Sequence, residues 1–155
     1  MKEEFGNIWE MEADARCIST NGEVNQKGEA IMGKGVALQA KVHCPGIETE
    51  IGKHLQETGN HVYLIASFSA NLMRYKMLYY YYFTFPTKNK WKESSSLPLI
   101  ENSCLELISI INRVKFKRVL LPRPGCGNGG LKWENVKPAI QDLLDDRVVI
   151  VELPK

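Results

Sequence analysis

The sequence lacks a long uninterrupted apolar run. Its most apolar stretch, Met77–Pro86, is too short and too aromatic to cross a bilayer, and the acidic start Met1–Glu4 has none of the cationic character of a secretory leader. The expectation is a cytoplasmic protein with no membrane partner. Charge of one sign is equally scarce: 20 Lys+Arg against 18 Asp+Glu leave a formal net charge of +2, too weak a field to argue for nucleic acid on charge alone. Only four cysteines are present, Cys17, Cys44, Cys104 and Cys126, with no C-x-x-C pair, and they fall in stretches that read as core or tight loop. Reduced thiols are expected rather than a disulfide framework. The three histidines, His43, His54 and His61, are not spaced like a zinc site, so no metal is expected.

What remains is a chain of 155 residues, the size of one compact domain that acts as a monomer. Strand-like and helix-like segments alternate along it. Ala15–Thr20 reads as a strand, Val36–His43 as a short helix stopped by Pro45 and Gly46, and Glu48–Glu57 as a second helix ending at Gly59. His61–Ser67 and Tyr79–Phe85 read as strands. Ser96–Asn112 places Ile100, Cys104, Leu107, Ile108 and Ile111 at helical spacing, which makes one face apolar. Arg118–Leu121 is a strand, Trp133–Leu144 a helix and Val148–Leu153 a continuous apolar strand. This alternation predicts a layered α/β domain with a largely parallel sheet and a ligand at the carboxyl ends of its strands. The polar stretches Ser69–Lys76 and Asn89–Ser96 are expected to be mobile loops.

Two glycine-rich loops carry the chemistry. The first strand runs into Asn21–Gly22 and, after a polar insertion, into Gly33, Lys34, Gly35, Val36 and Ala37 at the start of a helix. Glycines let backbone amides approach an anion, and a helix start adds unpaired N–H groups and the positive end of the dipole. The second loop, Pro124 to Leu131, contains Gly125, Cys126, Gly127, Asn128, Gly129 and Gly130 and has the same strand-before, helix-after setting. Two such loops in one small domain point to a diphosphate held between them. Gly125, Gly127 and Gly130 also satisfy G-x-G-x-x-G, with Glu152 near the place of a ribose-binding acid. A nicotinamide cofactor needs a second mononucleotide half, however, and would leave the first glycine loop without a task. None is expected.

These residues resemble the macrodomain family over essentially the whole chain. Gly6–Asn7–Ile8 is similar to the family's opening turn, Thr20–Asn21 to its asparagine after the second strand, and Met32–Ala37 to its first ligand loop. Phe85–Pro86–Thr87–Lys88 with Trp91, and Pro122–Gly130 with Leu131 and Trp133, resemble the DarG-like branch, whose members remove ADP-ribose from thymidine bases in DNA. The resemblance implies a three-layer α/β/α fold with a mixed, largely parallel sheet and an ADP-ribose cleft along its crest. It places Asn7 and Ile8 at the adenine end, Asn21 near the distal ribose, both glycine loops on the diphosphate and distal ribose, Thr87 beside them, and Lys88 at the scissile bond. Lysine-using relatives of this branch can carry an aspartate in the second loop, where this chain has Asn128.

Hydrolysis of an ADP-ribosyl bond passes through a cation-like ribose carbon, so the chemistry needs a rigid sugar clamp, an attacking group and help for the leaving group. Asn21 and backbone amides suit the clamp. Lys88 suits an electrostatic role or, desolvated, attack as an amine. Trp91 reads as a core anchor in preference to a lid, Cys126 as a packing residue in preference to a nucleophile, and two of Tyr79–Tyr82 are expected in the core. Three functions follow: a hydrolase acting on ADP-ribosylated DNA or protein, a non-catalytic ADP-ribose reader, and an ADP-ribose 1″-phosphate phosphatase. The hydrolase is preferred, because a reader has no use for a lysine at the scissile position. ADP-ribose is ligand or product in each, with no cofactor.

Overall fold

A computed structural model describes residues 1–71 and 76–155. Six strands and four helices follow in the order β1 (Lys2–Phe5), β2 (Ala15–Thr20), α1 (Gly35–His43), α2 (Ile47–Thr58), β3 (Leu64–Asn71), β4 (Lys76–Pro86), α3 (Leu97–Val114), β5 (Val119–Pro122), α4 (Trp133–Ile140) and β6 (Val148–Glu152). They form one mixed sheet of order β1-β6-β5-β2-β4-β3, in which β3 against β4 is the antiparallel pair and the other neighbours are parallel.

Alternation along each strand decides the layers, because successive side chains leave opposite faces. Ala15, Cys17, Phe83, Phe85, Val119, Leu121, Val148 and Ile150 meet Ile100, Cys104, Leu107 and Ile111 of α3 and Val136 and Ile140 of α4. On the other face, Ile18, Ile65 and Tyr82 meet Val36 and Ala40 of α1 and Ile47 and Ile51 of α2. The 6–13 segment covers the rest of that face, where Ile8 packs on Leu120, Val149 and Val151. The result is the α/β/α sandwich expected from the sequence.

Local signals explain the element ends. Ser96 caps α3, accepting a hydrogen bond from the Leu99 amide, and Lys115 ends the helix in the left-handed region at φ 61°. Asn25 accepts from the Lys27 and Glu29 amides and closes the insertion between β2 and α1.

Several boundaries differ from expectation. β1 was not anticipated: its residues Lys-Glu-Glu-Phe are all exposed, so no apolar pattern marks them, and pairing with β6 holds them. β3 starts later and ends later than His61–Ser67, because the amides of Val62 and Tyr63 go to side chains, Glu106 Oε2 and Thr84 Oγ1, instead of a strand. β4 starts at Lys76 rather than Tyr79. The expected loop Ser69–Lys76 is therefore strand at 69–71 and 76, and its residues 72–75 lie outside the described ones. α4 stops at Ile140 rather than Leu144; Leu143 then bonds back only three residues, to the Ile140 carbonyl, in a tighter turn. Of the tyrosine run, Tyr82 is buried and Tyr81 is half-buried against Phe116, while Tyr79 and Tyr80 stay exposed.

Candidate functional site

β5, β2 and β4 are parallel neighbours, so their carboxyl ends open onto one edge of the sheet. From these ends the chain enters three turns: Asn21 after Thr20, Thr87–Lys88 after Pro86, and the glycine loop after Pro122. Between them lies a cleft of about 1060 Å³, at the upper end of the range that holds a nucleotide-sized ligand.

The structure brings most of the sequence-nominated residues together. Gly33, Lys34, Gly35, Val36 and Ala37 line one wall, Gly125, Cys126, Gly127, Asn128 and Gly129 the facing wall, and Asn21, Thr87 and Lys88 complete the lining. The walls are close: a Cβ on Gly35 would lie 3.4 Å from Asn128 Nδ2. α1 starts at Gly35 with no side chain capping it, so first-turn amides remain to meet an anion. Gly127, at φ +80°, has nothing within 4 Å of a Cβ position, so its bare backbone adjoins open space.

Asn21 is already engaged: its Nδ2 donates to the Ile31 carbonyl at 3.0 Å, and its Oδ1 accepts from the Glu23 amide at 2.9 Å. It fixes the far end of the insertion, and with it the first glycine loop. Thr87 is buried, its amide bonded to the Thr20 carbonyl at 3.0 Å. Lys88 folds its ammonium under its own loop, donating to the carbonyls of Trp91 at 3.2 Å and Glu93 at 3.3 Å. Of three ammonium hydrogens, two are spent on these carbonyls and one is left.

Asn7 and Ile8 are not in the cleft lining. Asn7 is exposed and its Oδ1 accepts from the Trp9 amide, while Ile8 is fully buried and its carbonyl accepts from Arg16. Trp91 corrects the core-anchor reading. It is 44% exposed on the rim, with its amide held by Glu23 Oε1 at 3.2 Å. The expected loop 89–96 is irregular yet tied down: the Asn89 carbonyl accepts from Gly22, Ser95 donates to the Gly129 carbonyl and Ser96 to the Thr87 carbonyl.

Some lining residues gave no sequence signal. Ser95 and Thr20 carry buried hydroxyls with no hydrogen-bond partner among the described residues, and isolated serines and threonines look alike on paper. Arg123 reaches the cleft between its ion pair to Glu152, 3.0 Å, and the face of Trp133, 5.3 Å. Glu152 is thereby committed to an arginine. Asn60 went unnoticed because a lone asparagine after Gly59 reads as a turn. It donates to the Lys88 carbonyl and to Asn89 Oδ1, each at 3.1 Å, and so supports the lysine from behind. Burial pushes the Cys126 thiol above the ordinary range, although nearby Arg123 pulls it back, and this disfavours a nucleophile. Cys17, Cys44 and Cys104 are buried free thiols.

The layered mixed sheet with two glycine walls at the crest defines a macrodomain. No family model matches the chain. A DNA ADP-ribosyl glycohydrolase of Thermus aquaticus is 32% identical over 140 residues, 90% of this chain and 36% of that protein. The macrodomains of DarG from Mycobacterium tuberculosis and from Thermus aquaticus superpose with a TM-score of 0.77 at 28% identity, covering 99% of this chain and 97% of theirs. The chain has the macrodomain fold, and among macrodomains it is similar to those of DarG. It spans about a third of the length of the curated relatives it matches.

Proposed function

We propose that the cleft binds ADP-ribose and that the protein removes it from a modified base in DNA. The observation that carries this reading is the apposition of an uncapped helix start and a second glycine loop, which approach each other at Gly35 and Asn128, beside a lysine whose ammonium keeps one free donor. Amides of residues 33–37 and 125–129 would hold the diphosphate, and Asn21 and Thr87 would border the distal ribose. As the bond from ribose C1″ to the base nitrogen breaks, its electrons move to the base and Lys88 stabilises them through its remaining N–H. Water adds its oxygen to C1″ and its released proton ends on the base nitrogen. The choice of DNA rests on the relatives' activity and that of a hydrolase on the placement of Lys88. A protein acidic side chain is the second acceptor, and reader and 1″-phosphate phosphatase are the alternatives. We further take the chain to be a single, monomeric, cytoplasmic macrodomain without metal or cofactor; light scattering in solution checks the monomer.

Wild type and Lys88→Ala are compared on an ADP-ribosylated thymidine oligonucleotide, an ADP-ribosylated glutamate peptide and ADP-ribose 1″-phosphate. We expect turnover of the oligonucleotide, about 100-fold slower in the variant, with ADP-ribose affinity kept. Turnover of none leaves the reader, turnover of the 1″-phosphate alone makes it a phosphatase, and an unaffected rate removes Lys88 from the mechanism.

A further inference from the structure

The three tryptophans are treated differently by the fold. Trp9 and Trp133 are half-buried and donate their indole N–H groups, to Gln39 at 2.7 Å and Glu3 at 3.0 Å. Trp91 is 44% exposed, and its indole N–H has no partner among the described residues. Leaving so large an apolar ring in water is unfavourable unless something covers it. Its exposure does not follow from a loose loop, because the Trp91 amide is held by Glu23, the Asn89 carbonyl by Gly22 and the Lys88 carbonyl by Asn60. The backbone that carries the ring is anchored, and the Trp91 carbonyl is 3.2 Å from the Lys88 ammonium.

Lysines outnumber the nearby carboxylates of Glu23, at the Trp91 amide, and Glu93, in the same cleft. Lys90 and Lys92 flank Trp91 in the chain, and the Lys92 ammonium lies over one face of the ring, 5.3 Å from its centroid, so that a stacking partner has to take the other face. Lys34 stands on the first glycine loop of the same cleft. All three are exposed, and none forms an ion pair among the described residues. Unpaired lysines beside an exposed aromatic ring are the combination that single-stranded nucleic acid uses, with a base stacked on the ring and phosphates near the ammonium groups.

We propose that Trp91, Lys90 and Lys92 form a platform for the nucleotide adjoining the modified one. This rests on the DNA-directed reading above and extends it from the scissile bond to the strand. The base of the neighbouring nucleotide stacks on Trp91 and its phosphates lie by Lys90 and Lys92.

The test compares kcat/KM for a single-stranded ADP-ribosylated oligonucleotide with that for the ADP-ribosylated mononucleoside, in wild type, Trp91→Ala and Lys90→Gln/Lys92→Gln. Calorimetry with ADP-ribose checks that each variant is folded. The expected result is a fall of about ten-fold or more in the oligonucleotide-to-mononucleoside ratio for Trp91→Ala. For the double lysine variant, the salt slope of oligonucleotide binding should shrink by about 0.7 per lost phosphate contact. Equal losses on both substrates overturn the platform and make Trp91 a cover for ADP-ribose. An unchanged ratio, or an equal dependence on Trp91 with an ADP-ribosylated glutamate peptide, also overturns it. If neither substrate is turned over, the hydrolase reading fails by itself, and the same variants are then compared by anisotropy with a labelled ADP-ribosylated oligonucleotide: Trp91-independent affinity rejects the platform, and a ten-fold loss supports it.

Discussion

Replacing Gly129 with alanine tests how tightly the second glycine loop is seated. A Cβ at this position would lie 2.2 Å from Ser95 Oγ and 2.4 Å from the Gly125 carbonyl oxygen. The serine hydroxyl can rotate away, but the carbonyl is backbone, so the 125–129 turn has to open by about 1 Å to reach ordinary contact. Opening it stretches the bonds from Ser95 to the Gly129 carbonyl and from Leu131 to the Gly125 carbonyl, both 2.9 Å. Overpacking of this kind costs about 1–3 kcal/mol, and for a domain of this size each kcal/mol lowers the melting temperature by roughly 2–4 °C. A displacement near 1 Å in a ligand loop costs on the order of 100-fold in function. Gly127→Ala is the control: it meets open space at φ +80°, so it loses about 1 kcal/mol to left-handed strain while placing a methyl at the cleft. Thermal melts followed by circular dichroism, with calorimetric titration of ADP-ribose, separate the two. A Gly129→Ala protein that melts and binds like wild type, or that melts above Gly127→Ala, refutes the packing derived for this loop.

Asn60→Ala removes both hydrogen bonds behind the lysine turn, and we expect turnover to fall about ten-fold with ADP-ribose affinity within two-fold, the loss of about 1 kcal/mol per bond acting on placement of Lys88; steady-state kinetics beside calorimetry shows it. The Cys126 thiol, raised by burial, holds less thiolate at a given pH than an ordinary cysteine, so its alkylation at pH 8 should be slower than that of free cysteine, and Cys126→Ser should keep wild-type turnover. Glu3 is held below its ordinary value of 4.5, first by the hydrogen bond from Lys137, against burial and with Trp133 assisting. Its folded value is depressed, so its stabilisation is present above pH 4.5 and lost as pH falls through the lowered value. Melting temperatures from pH 6 to pH 3 should therefore decline less steeply in Glu3→Gln.

Much of the site was legible because backbone function needs glycine: residues 33–37 and 125–129 announced themselves by composition and both line the cleft. β2 and the long amphipathic α3 were equally readable, one from its apolar run and the other from its helical spacing. What escaped was whatever depends on distant partners. β1 has three charged residues of four and is held by β6 and by ion pairs of Glu3 with Lys137 and Glu4 with Arg118. Trp91 read as core because large aromatics usually are, whereas a carboxylate from Glu23, far away in sequence, holds its backbone at the rim. Asn7 and Ile8 were nominated by likeness, and the structure gives them a turn and a core position.

The order β5-β2-β4 brings together turns from the beginning, middle and end of the chain. No local fragment can assemble this crest, because it needs β2 paired with both β4 and β5. A ligand clasped there ties otherwise remote stretches of polypeptide to one another, and mass action then makes it a fastener of the whole sheet. Occupied molecules should resist heat and proteolysis together, a protection that would outlast any single contact in the cleft.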